Sequence, residues 1–378
     1  MRIPLSSPDI TRSDIEAVAR VLRSGRLSLG PKLEEFEQVV AAYTGAAHAV
    51  ATSSGTAALH LAIRTLGIAE GDEVILPSFA FVAVANAVQC EKAIPFFVDL
   101  EPETLNLDPE RIEAAITPRT RAILAVHTFG CPAELEQILT IARKHRLLVI
   151  EDASEALGAE YHGRKVGALA DAGVFGFYPN KLITTGEGGM LATQRDEVAG
   201  RGRCLRNQGR SPGGRWIDQA EPGYNYRLPE VNCALGVEQM KRLDATLARR
   251  EELARAYSQR LGGNPDLILP PLELPGRRIS WFAYVVRLGE RFGQRQRDWI
   301  WEEMGRRGIG CGRYFPPIHW QPPYQGRARQ ALPNTEWSAT RALALPFFNH
   351  LTPGQIDEVC QTLAELMPTS LAAAPIRR

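Results

Sequence analysis

Residues 11–25, "TRSDIEAVARVLRSG", set Ile15, Val18 and Leu22 on one face of a 3.6-residue period. This predicts an amphipathic helix with those three side chains turned to the core. Thr11 and Asp14 have capping-box spacing, and Gly25 supplies a stop. Pro31 opens a second helix carrying Leu33, Phe36 and Val40 inward. From about residue 46 the pattern changes to short unbroken apolar runs separated by helical stretches. The runs are "AAHAVAT", "DEVILP", "IPFFVDL", "RAILAVH", "LLVIED", "AGVFGFY" and "GGMLAT"; the helices include "GTAALHLAIRTLG", "FVAVANAVQC" and "AELEQILTIARKH". Continuous apolar strands alternating with helices predict an α/β fold with a mostly parallel sheet covered on both faces. Ligands bind such sheets at the carboxyl ends of the strands. Ser53 and Ser54, Pro77 and Ser78, His127 and Asp152 all fall there.

One long helix is expected from Pro229 to about Leu261, and the Gly- and Pro-rich "GGNPDLILPPLELPG" then marks a boundary. Residues 1–262 are read as a large lobe and 263–378 as a smaller α/β lobe. The small lobe contains the strand "SWFAYVVRL", a helix with Trp299 and Met304 in its core, and a helix capped by Thr352 with Pro353 in its first turn. "PTSLAAAPIRR" is expected to fray.

The chain is long enough for two lobes, and its 44% hydrophobic and 23% charged residues are ordinary for a globular protein. A formal net charge of +1 gives no electrostatic case for nucleic acid or an acidic membrane surface. Six scattered cysteines form no C-x-x-C pair, so no metal site is expected and a reducing, cytoplasmic location is. No signal peptide is read at the N-terminus, and no membrane span, since no run of about 18 apolar residues occurs.

Lys181 stands in "GFYPNKLITTGEGGM" with no other basic residue and a single acid, Glu187. No G-x-G-x-x-G follows the first strand, and "GFYPNK" lacks the glycine and hydroxyl residue of a P-loop. Pyridoxal phosphate needs a lysine amine, a carboxylate for its pyridine nitrogen, a helix N-terminus for its phosphate and a flat side chain on its ring. Asp152, at the end of a buried strand, is either the carboxylate or a cap of the following helix. Gly55 and Thr56 sit where a strand turns into a helix, either as the phosphate site or as a plain N-cap. Phe81 is a ring-stacking candidate or core. A setting free of neighbouring acids and shielded from water would favour the neutral amine of Lys181, and the following glycines would let the backbone pass close to the cofactor.

Nine stretches in order over nearly the whole chain resemble the DegT/StrS family of sugar aminotransferases. They are "SGRLSLGPKLEEFE", "TSSGTAALHLA", "LPSFAFVAVANAV", "VHTFGCPAEL", "IEDASEALGA", "GFYPNKLITTGEGGM", "GYNYRLPEVNCALG", "YFPPIHWQPPY" and "LALPFFNHLT". The resemblance implies a fold-type I pyridoxal-phosphate enzyme that moves an amino group from an amino acid, expected to be glutamate, to the keto carbon of a nucleotide-linked sugar. It implies Lys181 as the Schiff-base lysine, Asp152 as the pyridine partner and Phe81 as the stacker. Ser54, Gly55 and Thr56 would hold the phosphate, and Glu155 would stand near the ring's 3-hydroxyl, where the family often has Gln or His. Asn225 would reach the cofactor phosphate of a neighbouring subunit in a homodimer, and Tyr314 and His319 would border the sugar, although each can also be read as packing. Where the family often carries a serine five positions before the lysine, this chain has Gly176. Three alternatives remain beside this reading. A sugar dehydratase of the family would have histidine in place of Lys181. A desulfurase would use Cys311, and a cofactor-binding regulator would not turn over.

Overall fold

The apolar runs pair into one seven-stranded sheet in the computed structural model, which describes residues 1–211 and 218–373. Its strands are β1 (His48–Thr52), β2 (Glu73–Pro77), β3 (Ile94–Val98), β4 (Thr120–Val126), β5 (Leu148–Asp152), β8 (Ala172–Gly176) and β9 (Gly189–Thr193). The two-residue strands β6 (Glu160–Tyr161) and β7 (Arg164–Lys165) stand outside it. The order across the sheet is β1-β9-β8-β5-β4-β2-β3. Strands β3, β2, β4, β5 and β8 run parallel, while β9 is antiparallel to both β8 and β1. The carboxyl ends of β1, β4, β5 and β8 and the amino end of β9 therefore share one edge.

Helices α1 (Arg12–Ser24) and α2 (Pro31–Thr44) precede the sheet. Then α3 (Gly55–Thr65), α4 (Ala83–Cys90), α5 (Ile112–Ala115) and α6 (Leu135–His145) fill the connections, and α7 (Asp196–Arg206), α8 (Glu230–Met240) and α9 (Leu243–Leu261) follow it. Successive residues of a strand face opposite sides of a sheet. In β2, Ile75 packs with Phe36, Leu135 and Val237 on one face, while Val74 and Leu76 pack with Leu59, Val84 and Val198 on the other. Both faces are dry, which is why these runs read as continuously apolar.

Beyond α9, β10 (Leu267–Ile268), β12 (Tyr284–Leu288) and β13 (Ala342–Leu345) form a second, antiparallel sheet, while β11 (Arg277–Arg278) reaches back to pair with β6. Helices α10 (Gln294–Arg306), α11 (Pro333–Ala339) and α12 (Pro353–Ala373) complete the described chain. Met304 lies in the second core with Ile300 and Val359, and Trp299 packs partly buried against it.

Three expectations are corrected. Helix α1 buries Asp14, Ala17 and Val21 rather than Ile15 and Leu22, which are 63% and 58% exposed. Asp14 is drawn inward because Arg242 Nη2 and Gln239 Nε2 donate to it at 2.7 and 3.2 Å. The expected long helix breaks between Met240 and Leu243, where Arg242 leaves helical geometry and also donates to the carbonyl of Asp9. The C-terminal segment does not fray at residue 368: α12 runs through Pro368 to Ala373 because Leu366, Met367 and Ser370 are buried. Residues 374–378 of that expected tail lie outside the described residues.

Candidate active site

A cavity of about 360 Å3 opens at the shared sheet edge and is closed by Phe282, Tyr314 and Phe315 from the chain beyond α9. Of the residues singled out in the sequence, Ser54, Gly55, Thr56, Phe81, Asp152, Glu155, Lys181 and Tyr314 line it.

Where β1 ends, Ser54 caps α3: its Oγ accepts from Ala57 N at 3.1 Å, and its carbonyl accepts from Ala58 N at 3.0 Å. The N–H groups of Gly55 and Thr56 belong to the first turn, which has no intrahelical acceptors, so they and the helix dipole form an anion cradle. A Cβ on Gly55 would stand 3.3 Å from the Cα of Gly176, so these two backbones approach across the cradle as glycine on glycine. Of the glycines after Lys181, Gly189 also has a structural reason to be bare. A Cβ there would lie 2.3 Å from the carbonyl of Ser54, so its bareness serves the β1–β9 contact.

Lys181 follows β8 in a turn closed by its N–H to the carbonyl of Tyr178 at 2.9 Å. Its Nζ lies 3.2 Å from Glu155 Oε1 and 4.2 Å from the centre of the Phe282 ring. The expected acid-free setting is thus corrected, since the turn after β5 delivers a carboxylate that sequence neighbours do not. Glu155 Oε2 accepts from Phe129 N at 3.1 Å. Burial pushes the Glu155 pKa up, Lys181 pulls against that, and the charge of Asp152 adds to it.

Asp152, the last residue of β5, is 8% exposed, and its Oδ1 accepts from Ser154 N at 3.0 Å. No helix starts there, so Asp152 holds a turn and is not a helix cap. Phe81 presents a 62% exposed ring to the cavity, and Asn180 Oδ1 is buried without a hydrogen-bond partner. Amine, carboxylate, anion cradle, open aromatic face and an unsatisfied acceptor in one cavity fit pyridoxal phosphate.

Two expected site residues stand elsewhere. His319 is buried outside the cavity lining, with Nδ1 2.7 Å from Ser78 Oγ and Nε2 3.2 Å from Glu336 Oε1. With Ile318 N donating to the Ser78 carbonyl at 2.9 Å, it ties the segment around His319 to the end of β2. Asn225 is exposed outside the cavity. Its neighbours Tyr224 and Tyr226 stack at 4.9 Å and bond Glu91 and His60, which anchors the loop around it. His127 bonds Glu151 at 3.1 Å and is fully buried. Cys311, which a desulfurase would use, lies outside the cavity lining, and burial pushes its thiol up to about 12.

The cavity also has walls that the sequence reading passed over: Ser154, Tyr178, Asn180, Phe282 and Phe315. Ser154, Tyr178 and Asn180 lie inside the motif stretches and were within reach. Phe282 and Phe315 come from the chain beyond α9, and no local pattern signals where that stretch folds back over the sheet edge.

The family model described as "DegT/DnrJ/EryC1/StrS aminotransferase family" matches residues 8–364. The chain is 41% identical over 369 residues to the GDP-perosamine synthase of Caulobacter vibrioides, which covers 97% of this chain and 98% of that protein. It superposes on S. venezuelae DesV, solved in complex with a ketimine intermediate, with TM-score 0.90 and 37% identity over 97% of this chain and 98% of that one. Helicobacter pylori PseC, an aminotransferase involved in the biosynthesis of pseudoaminic acid, gives TM-score 0.93 and 28% identity over 98% and 100%.

Proposed function

We propose, from the premise that this chain belongs to the DegT/DnrJ/EryC1/StrS aminotransferase family and is a pyridoxal-phosphate-dependent sugar aminotransferase, that it aminates a GDP-linked keto sugar with L-glutamate as donor. The observation that carries the reading is the convergence of Lys181, Glu155, Asp152 and the α3 N-terminus on one cavity. The identity with a GDP-perosamine synthase along nearly all of both chains supports the nucleotide.

Bound pyridoxal phosphate supplies a ring that withdraws electrons from the donor's Cα. The Gly55 and Thr56 N–H groups hold its phosphate. Asp152 keeps a proton on the ring nitrogen, and its tie to Ser154 fixes the carboxylate in place. Phe81 covers one ring face. The Lys181 amine would move the proton between the donor's Cα and the cofactor's C4′. Glu155 steadies that amine from below, and Phe282 shields it from water. Tyr314 borders the sugar.

We further propose a homodimer with shared sites, supported by the exposed Asn225 and by the apolar surface that Ile10, Ile15, Leu22, Leu27 and Leu29 leave uncovered. We place the protein in the cytoplasm on its six free cysteines, and the lobe division at 262/263 on the second core, to which α9 and Ile3 also contribute. Among the described residues no helix is long and apolar enough to cross a membrane.

The test is a panel of nucleotide-linked keto sugars offered to enzyme loaded with pyridoxamine phosphate, following return of the lysine-linked cofactor absorbance. A GDP-linked keto sugar should restore it fastest. Restoration by sugars on other nucleotides alone would reject the acceptor.

A further inference from the structure

We propose that the Ser154 hydroxyl binds the cofactor phosphate, standing where a side chain at position 176 would otherwise reach; the inference rests on the cofactor reading above. The cradle at the α3 N-terminus is walled by two residues without side chains. A Cβ built on Gly55 would lie 3.6 Å from Ser154 Oγ, and one built on Gly176 would lie 3.5 Å from the same oxygen and 3.3 Å from Ser154 Cβ. One hydroxyl therefore faces both bare backbones. Its own side chain makes no hydrogen bond to a described residue, while its backbone N–H is committed to Asp152 Oδ1 at 3.0 Å. It lines the cavity and is half-buried. A hydroxyl so placed is free to donate to an anion, and hydrogen bonds to charged acceptors are the stronger kind. The turn that presents Asp152 to one end of the cofactor thus presents Ser154 to the other.

The geometry also says which substitution should replace it. Ser154→Ala keeps the Cβ and removes only the oxygen, leaving room for a hydroxyl carried by position 176, whose Cβ would need the Ser154 Cβ to yield by a few tenths of an ångström.

The experiment measures dissociation constants of pyridoxal phosphate and of pyridoxal, which lacks the phosphate, by equilibrium dialysis of apoprotein. Ser154→Ala should weaken pyridoxal phosphate about tenfold or more, as for one hydrogen bond to a charged group, and leave pyridoxal within about twofold. Adding Gly176→Ser should recover most of the loss. If Ser154→Ala apoprotein does not fold, Ser154→Cys, a weak donor of similar shape, makes the same comparison. Unchanged pyridoxal phosphate affinity, equal loss for both ligands, or no recovery with Gly176→Ser would overturn the proposal. Failure of the cofactor reading looks different: the unmodified protein itself would take up no pyridoxal phosphate.

Discussion

Lys181 Nζ lies 3.2 Å from Oε1 of Glu155, a contact between two residues that β5 and β8 deliver from separate turns. Glu155 is buried and Lys181 half-buried, with side-chain exposures of 10% and 17%. The contact ties the amine to the turn after β5, so the fold itself fixes where the nucleophile enters the cavity.

Lys181→Ala should abolish turnover and the visible absorbance of lysine-linked cofactor while preserving the far-ultraviolet circular dichroism of the fold. The substituted side chain points into a cavity, so little packing is lost. Full multiple-turnover activity in this variant would contradict the assignment.

Asp152→Asn keeps the shape and the acceptor for Ser154 N but gives up the charge that retains the ring proton. The rate should fall by about 10²- to 10³-fold, the scale of losing one preorganised electrostatic partner. Single-turnover kinetics at saturating cofactor measure it. A loss within about twofold would mean no transition-state interaction was removed, leaving Asp152 as a turn former only.

Glu155 has a pKa raised above its ordinary 4.5, chiefly by burial. The folded protein then holds this proton to higher pH than the unfolded chain does. The group's contribution to stability is full below 4.5 and is lost as pH rises through the raised folded value. Glutamine is neutral throughout and still accepts from Phe129 N. Glu155→Gln apoprotein should therefore gain stability relative to the unmodified apoprotein as pH climbs from 4.5 to neutral. Urea unfolding across that range checks the sign; a gap that shrinks with pH would contradict it.

Asn225 and Lys181 come from different chains in each site if the proposed dimer is right. Mixing inactive Lys181→Ala with inactive Asn225→Ala protein should then restore activity, because one site of the heterodimer carries both lesions and the other neither. No recovery after verified subunit exchange would reject the shared site. Asn225→Ala alone should loosen cofactor retention by roughly 1–3 kcal/mol, as for a hydrogen bond to a charged partner.

The large sheet was legible because its strands are apolar on both faces: "EVILP" can satisfy a doubly covered strand and little else. The cavity was legible where chemistry demands rare placements, such as a carboxylate ending a buried strand at Asp152 or a lone lysine at 181. Helix α1 misled because its apolar stripe at Ile15 and Leu22 is not its buried face. Asp14 is held inside by Arg242, a tertiary ion pair that no local pattern reveals. The same arginine breaks the helix expected to run through it. Glu155 as the neighbour of Lys181 was hidden because strands adjacent in space are separated in sequence. The contact of His319 with Ser78 was hidden for the same reason, since the two residues lie far apart in sequence.

Amino transfer to a sugar is the central claim, and isotope transfer tests it most directly. The enzyme is incubated with 15N-labelled L-glutamate and a GDP-linked keto sugar, and the products are read by mass spectrometry. The account predicts a single 15N atom on the sugar, matched mole for mole by 2-oxoglutarate, and no transfer in Lys181→Ala. A sugar that loses water without gaining nitrogen, or gains unlabelled nitrogen only, would contradict it.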